Sequence, residues 1–435
     1  MKSKKETKHA LGTVLLCVLL AAVLLCACGK NPTEAESTPS GTVAPSDGRA
    51  LHLLTEPEAI VRVHAQTENG HYETVSNHAS SSNIVYTDYA TKSRVFLCND
   101  PGCNHDSESC TSYFPLHWID ALFTDGSYLY AGATVIDKDD VYTRRGELIR
   151  MGLDGSNREV IVELQAGESF TGAYASDGEK LYFTKLVALE PDPEEEEKSY
   201  NLATRFYSID IDTKEVTELY DSDTGDRCVG NCVGCVGREM IFATTDLLDY
   251  EGSIIAMYRA FNVDTRTWRD ITEEPMNQRS GIWADGMSIW VSKDGTTINT
   301  FDFATAEVQQ IELERKIPKT AELRDFQDGK LLARWTEEDH DVSAAIDIET
   351  GSFTDAPVFI SEASGKSSVM DILADFGEEY LVETAPKQVS VTYFDLDGSV
   401  EQYMDEVYPQ ALIAKEDYWA GNQNVTMIDD HVSLR

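Results

Sequence analysis

Three thiols and one imidazole fall between residues 98 and 110: Cys98, Cys103, His105 and Cys110. Thiolates and a neutral imidazole are soft donors, and four of them close a tetrahedral zinc site that leaves no position for water. Pro101-Gly102 supplies the tight turn needed to bring them together. The spacing C-x4-C-x-H-x4-C matches none of the common zinc-finger patterns. A second group, Cys228, Cys232 and Cys235, has no histidine nearby. Outside the cytoplasm, where other residues place this chain, cysteines in even number pair more often than they bind metal. Disulfides within or between the two groups are therefore the first expectation, and a structural zinc at the first group is the second. The sequence does not choose among the pairings.

Other chemical signatures fall short. No Gly-x-Ser-x-Gly elbow occurs, and Gly365-Lys366-Ser367 lacks the leading glycine of a phosphate loop because Ile360 stands there. Asp221 to Asp226 begins like a calcium loop, yet its glycine comes one place early and no glutamate closes it. Pro191 to Lys198 is an acidic insertion that reads as a solvated loop. Of the tryptophans, Trp268, Trp283, Trp290, Trp335 and Trp419 lie in or beside a repeat and are expected in the core. Trp118 precedes the first complete repeat, and an aromatic rim that binds sugar would take loop-borne aromatics at the mouth of the channel. Catalysis would need groups that meet only in three dimensions, with His105 or His340 among carboxylates at a channel mouth.

The N-terminus sets the location. Lys2, Lys4, Lys5 and Lys8 precede an apolar run from Leu11 to Ala27, and Leu25-Cys26-Ala27-Cys28 follows the order of a cleavage site before a cysteine. This stretch resembles the lipobox of bacterial lipoproteins, which implies that Cys28 is acylated and becomes the first residue of a protein held on the outer face of the cell membrane. The Cys-Gly-Lys start and the Pro-, Ser- and Thr-rich segment from Asn31 to Ala50 resemble those of Gram-positive lipoproteins. The expected organisation is a signal peptide over 1–27, acylated Cys28 and a disordered tether over 28–55, and one globular domain over 56–435. Removal of 1–27 takes four lysines and one glutamate, leaving 32 basic against 75 acidic residues. Such a charge disfavours nucleic acid as a partner and repels anionic surfaces, so the domain stands off the membrane.

Between 120 and 435 a theme recurs: a turn, a short β-rich run, a variable stretch, then an alternating strand ending in an acidic turn. The opening element appears as Thr124-Asp125-Gly126-Ser127-Tyr128-Leu129-Tyr130 and Ser176-Asp177-Gly178-Glu179-Lys180-Leu181-Tyr182-Phe183. It returns near Gly237, Gly286, Gly329 and Gly377, with Lys415 to Trp419 as its weakest copy. The closing element is clearest at Phe206 to Thr213, with copies ending near Gly155, Thr265, Thr305, Gly351 and Gly398. Starts about 40–60 residues apart match four-stranded blades. The fold expected is a seven-bladed β-propeller in which N- and C-terminal strands share one blade, Ile84 to Lys92 joining Lys415 to Ile428. Eight blades is the alternative, with a further hairpin around Asn69-Gly70. The pattern resembles the WD-like and TolB-like propeller lipoproteins of Gram-positive anaerobes. The expected function is a non-catalytic, monomeric binding or scaffold module that contacts protein, peptide or glycan through loops at one end of the channel. The alternatives are a propeller hydrolase or lyase, or a metal-binding or sensing lipoprotein built on the Cys98 to Cys110 loop.

Overall fold

The computed structural model describes residues 49–432 apart from 57–62, 79–80, 138–143, 166–167, 189–201, 222–229, 248–252, 285, 338–339, 357, 361–366 and 395–399. Among the described residues, no helix is long and apolar enough to cross a membrane.

Seven antiparallel four-stranded sheets follow one another along the chain as blades of a propeller. Their innermost strands are His64–Thr67, His117–Thr124, Glu168–Ser176, Asn231–Val236, Met276–Ala284, Glu322–Gln327 and Ile372–Phe376, which define blades 1 to 7. Asp125-Gly126, Asp177-Gly178, Asp328-Gly329 and Asn69-Gly70 lie where the first strand of a blade turns into the second, because both residue types tolerate positive φ. Gly126 and Gly178 both sit at φ +87°. Asp125 Oδ1 accepts the amides of Ser127 and Tyr128, and Asp177 Oδ1 those of Glu179 and Lys180, at 2.8–3.1 Å.

In five blades the turn after the third strand follows a single rule. Asp88, Asp210, Asp302 and Asp347 each cap the amide of a threonine three residues on, and Asn262 does the same for Thr265. The next residue takes positive φ in every case, from 56° at Lys92 to 70° at Gly351. The local chemistry of Asp-x-x-Thr therefore selects a compact hairpin that returns the chain as the outermost strand.

Apolar faces of adjacent blades pack as seven clusters, one per seam. The seventh, with Tyr89, Leu381, Leu412 and Ile428, joins blade 7 to blade 1 and closes the ring. There Tyr89 stacks on Phe376 at 3.9 Å, and Asp429–Asp430 adds a parallel edge strand beside Ser93 and Arg94. Arg94 holds both ends, pairing with Glu73 at 2.6 Å and Asp430 at 3.0 Å.

The C-terminus does join blade 1, through Asp429–Asp430 as an added edge strand, but Ile84 to Lys92 lies in blade 1 and Lys415 to Met427 in blade 7, so the two do not build one blade as expected; three further details differ. The hairpin at Asn69-Gly70 forms the first two strands of blade 1 and adds no eighth blade. Lys415–Trp419 is a short helix in the last turn of blade 7, where buried Tyr418 donates to Met370 O at 2.8 Å. The alternating segment near Val391 belongs to an inserted hairpin, Lys387–Phe394 with Val400–Val407, and Gln410–Ala414 is the true third strand of blade 7. Residues 51–55, which the sequence places in the tether, pack on the propeller instead: Leu51 is buried, and His52–Leu53 pairs with Ser176 and Ala175 of blade 3.

Candidate functional site

The two ends of the ring differ in kind. On one, here the turn face, lie the connections between first and second and between third and fourth strands; apart from residues 415–424, none exceeds six residues. On the other, the loop face, lie the described parts of the long connections 97–116, 356–371 and 384–409. Loops freed from the blade repeat in this way are where a rigid scaffold carries its specificity.

Residues 49–56 occupy the channel and enter it from the turn face. Arg49 pairs with Glu179 at 2.9 Å and its carbonyl accepts from Arg238, while Leu51 N donates to Gly237 O at 2.7 Å. Further in, Leu54 N donates to Tyr174 O at 2.8 Å, and Thr55 Oγ1 accepts from Tyr174 N. Glu56 then reaches His64 of blade 1 at 3.3 Å and lies close enough to Asp325 of blade 6 to raise its pKa. The segment therefore touches blades on opposite sides of the ring. Burial is the main force on Asp325, with Glu56 and Asp371 adding to it, and the carboxyl is pushed up to about 6.

Arg238 anchors this entry. Its guanidinium binds Asp177 of blade 3 at 2.9 Å, Asp264 of blade 4 at 2.8 Å and the Tyr182 hydroxyl at 3.0 Å. Its charge is held firmly by these carboxylates, which outweigh the cost of burial. Sequence reasoning missed it because its partners come from three parts of the chain.

The first cysteine group converges. Ligand atoms of Cys98, Cys103, His105 and Cys110 all lie within 4.8 Å of one another. They sit in the crossover between the outermost strand of blade 1 and the innermost of blade 2. His105 Nδ1 is 3.4 Å from Cys110 Sγ, and the His105 amide donates to Cys103 Sγ at 3.3 Å. Phe96 stacks on the His105 ring at 4.4 Å. Asn83, fully buried, donates to His105 O at 3.0 Å and to Ser112 Oγ at 2.8 Å. Burial raises the Cys98 thiol, but hydrogen bonds from the Asp100 amide and neighbouring thiols outweigh it and leave its pKa below the ordinary value.

The second group does not join the first. Cys232 and Cys235 lie on the innermost strand of blade 4, where a bulge between Cys232 and Gly234 turns both toward the core shared with blade 3. Burial pushes the Cys232 thiol up to about 12, which suppresses its reactivity. Cys228 lies outside the described residues. Cys98, Cys103, Cys110, Cys232 and Cys235 all carry free thiols, so the favoured pairing is not formed among them.

Other candidates separate in the same way. Trp290 and Trp335 are buried, and Trp268, Trp283 and Trp419 pack against the cores. Trp118 is 39% exposed at the loop-face end of blade 2, with the Arg144 guanidinium 4.9 Å above its ring. The acidic insertion 191–198 and most of the segments 221–226 and 365–367 lie outside the described residues, as does the His340 side chain. His105 faces sulfur and not carboxylates. A pair absent from the sequence reading, His117 with Glu147 at 3.5 Å, is nearby. Glu147 is buried and also bound by Arg145 at 2.8 Å; His117 and Arg145 hold its carboxyl below the usual range, and His117 Nδ1 is committed to Pro115 O. Both oxygens being engaged, this pair fastens strands of blade 2.

No protein-family model matches the chain, and no curated protein matches it by sequence. Solved structures resemble it at low identity. An oligogalacturonate lyase from Vibrio parahaemolyticus is 14% identical with a TM-score of 0.42, covering 84% of this chain and 92% of its own. A puromycin-hydrolysing peptidase of Mycobacterium tuberculosis is 11% identical at 0.49, covering 87% and 56%. TolB from Acinetobacter baumannii is 11% identical at 0.31, covering 78% and 79%.

Proposed function

We propose that this protein is a non-catalytic binding or scaffold propeller, held outside the cell by acylated Cys28 and contacting a protein, peptide or glycan through its loop face. The observation that carries this reading is the opposition of entry and display. The chain enters through the turn face, and the long connections lie on the other face. A chain of the length and composition of residues 28–48 would span about 25 Å root-mean-square if it serves as the tether its composition implies, enough to keep an acidic domain clear of the bilayer while the loop face points outward. Residues 51–56 in the channel argue against substrate passing through the ring. Trp118 beneath Arg144 offers an exposed aromatic and cationic contact of the kind that anchors a partner.

The test is comparative capture from the native envelope. Trp118→Ala with Arg144→Glu on the loop face should lose the retained partner, while Asp212→Lys with Glu349→Lys on the turn face should keep it. Equal loss from both, or loss from the turn-face variant alone, refutes the assignment of faces.

A further inference from the structure

We propose that Cys98, Cys103, His105 and Cys110 bind a zinc ion in a closed tetrahedral site that fastens the crossover between blades 1 and 2. With Zn–S bonds of about 2.3 Å and Zn–N of about 2.1 Å, tetrahedral ligands stand about 3.6–3.8 Å apart. Ligand atoms already within 4.8 Å of one another meet that geometry after shifts of about an ångström or less, and His105 Nδ1 with Cys110 Sγ stands at 3.4 Å.

The loop has little else to order it. Residues 99–102, 104 and 106–109 are exposed, and its inward-turned groups are the three thiols and the imidazole. Its supporting contacts are the kind that orient metal ligands. The His105 amide donates to Cys103 sulfur, Ser112 Oγ lies 3.5 Å from Cys110 sulfur, and Asn83 holds both His105 O and Ser112 Oγ. His105 takes φ 59°, a conformation a histidine adopts at a cost and one that aims its ring at the sulfurs. Three thiolates and a dication leave one net negative charge. Half-buried Arg158 stands beside it, donating to Thr111 O and to Tyr113 O at 2.8 Å while its guanidinium lies 3.6 Å over Phe114.

A disulfide account leaves a remainder. Cys232 and Cys235 are enclosed in blade 4, so this group has three thiols of its own, and any one bridge strands a thiol beside an imidazole. Metal uses all four groups. With four protein ligands the site has no open position, so its role is to lock the seam and not to activate water.

The test is metal analysis of the chain purified without oxygen. The expected result is zinc equimolar with protein, lost in Cys103→Ser and Cys110→Ser and kept in Cys232→Ser. Asn83→Ala should weaken affinity roughly 10–100-fold in a chelator competition. Should ligand variants fail to fold, cobalt exchanged into the wild-type chain should give the intense absorption of a tetrahedral thiolate complex. Protein without bound metal, a disulfide among Cys98, Cys103 and Cys110 found by mass, iron in place of zinc, or zinc retained in Cys103→Ser overturns the proposal.

Discussion

Asp325→Asn should stabilise the protein at neutral pH and do so less as the pH falls. The carboxyl moves from 3.8 when unfolded to about 6 in the folded chain, chiefly through burial and then through Glu56 and Asp371. A folded-state pKa raised in this way means that the protonated acid favours folding. That contribution is complete below about pH 4 and is lost as pH rises through 6. Two pKa units correspond to about 3 kcal/mol, of which about half is lost between pH 5 and pH 8. Asparagine keeps the acceptor for the Phe326 amide, 2.7 Å away, without the charge. Urea midpoints of variant and wild type, taken at pH 5 and pH 8 with a common m-value, should therefore separate by about 1.5 kcal/mol more at the higher pH. Glu56→Gln should shrink that separation, because its carboxylate lies beside Asp325 only while residues 51–56 occupy the channel. A separation that stays flat or falls with pH refutes the burial of Asp325, and one indifferent to Glu56 refutes the path of the N-terminal segment.

Three further outcomes follow from the packing. Gly155 has φ +78° and its missing Cβ would stand 3.0 Å from Thr111 O, whereas Gly126 has φ +87° and open space. Gly126→Ala should cost about 1 kcal/mol in thermal unfolding and Gly155→Ala clearly more, the difference reporting the seam between blades 1 and 2. Arg238→Ala removes the partner of two carboxylates on adjacent blades and should cost about 3–5 kcal/mol in urea unfolding, with Arg238→Lys recovering only part because the bidentate geometry is lost. Arg94→Ala should lower the melting temperature and speed proteolysis at the C-terminus, since Arg94 joins Glu73 to Asp430 across the closure.

The blade count was legible because each first turn carries its own chemistry. Asp125-Gly126, Asp177-Gly178 and Asp328-Gly329 announce positive φ directly, and Asp-x-x-Thr does the same for the hairpin that ends a blade. Blade 7 was harder. A hairpin of period two, inserted between its second and third strands, imitates a closing strand at Val391, and it displaces the real one to Gln410. Lys415 to Trp419 has strand-like aromatics, yet Tyr418 is buried by a single helical turn. Composition marked residues 28–55 as a tether, and the only contrary signal was Leu51, Leu53 and Leu54 at its end. The cysteine loop was visible from residue type and spacing alone. Its convergence was not, because Asn83 and Phe96, on two strands of blade 1, and Arg158, in a turn of blade 2, shape it from elsewhere in the chain. Arg238 was hidden because its partner Asp177 lies on the neighbouring blade, and the His117–Glu147 pair because its two strands meet only once the sheet of blade 2 has formed.

Amide hydrogen exchange along residues 51–55 tests the central claim most directly, that the chain's own N-terminal segment fills the channel and gives the ring one anchored face and one displayed face. Leu51 and Leu54, bonded to Gly237 O and Tyr174 O, are predicted to exchange as slowly as the innermost strand Glu168–Ser176 beside them. Exchange at the rate of an unprotected peptide would contradict it.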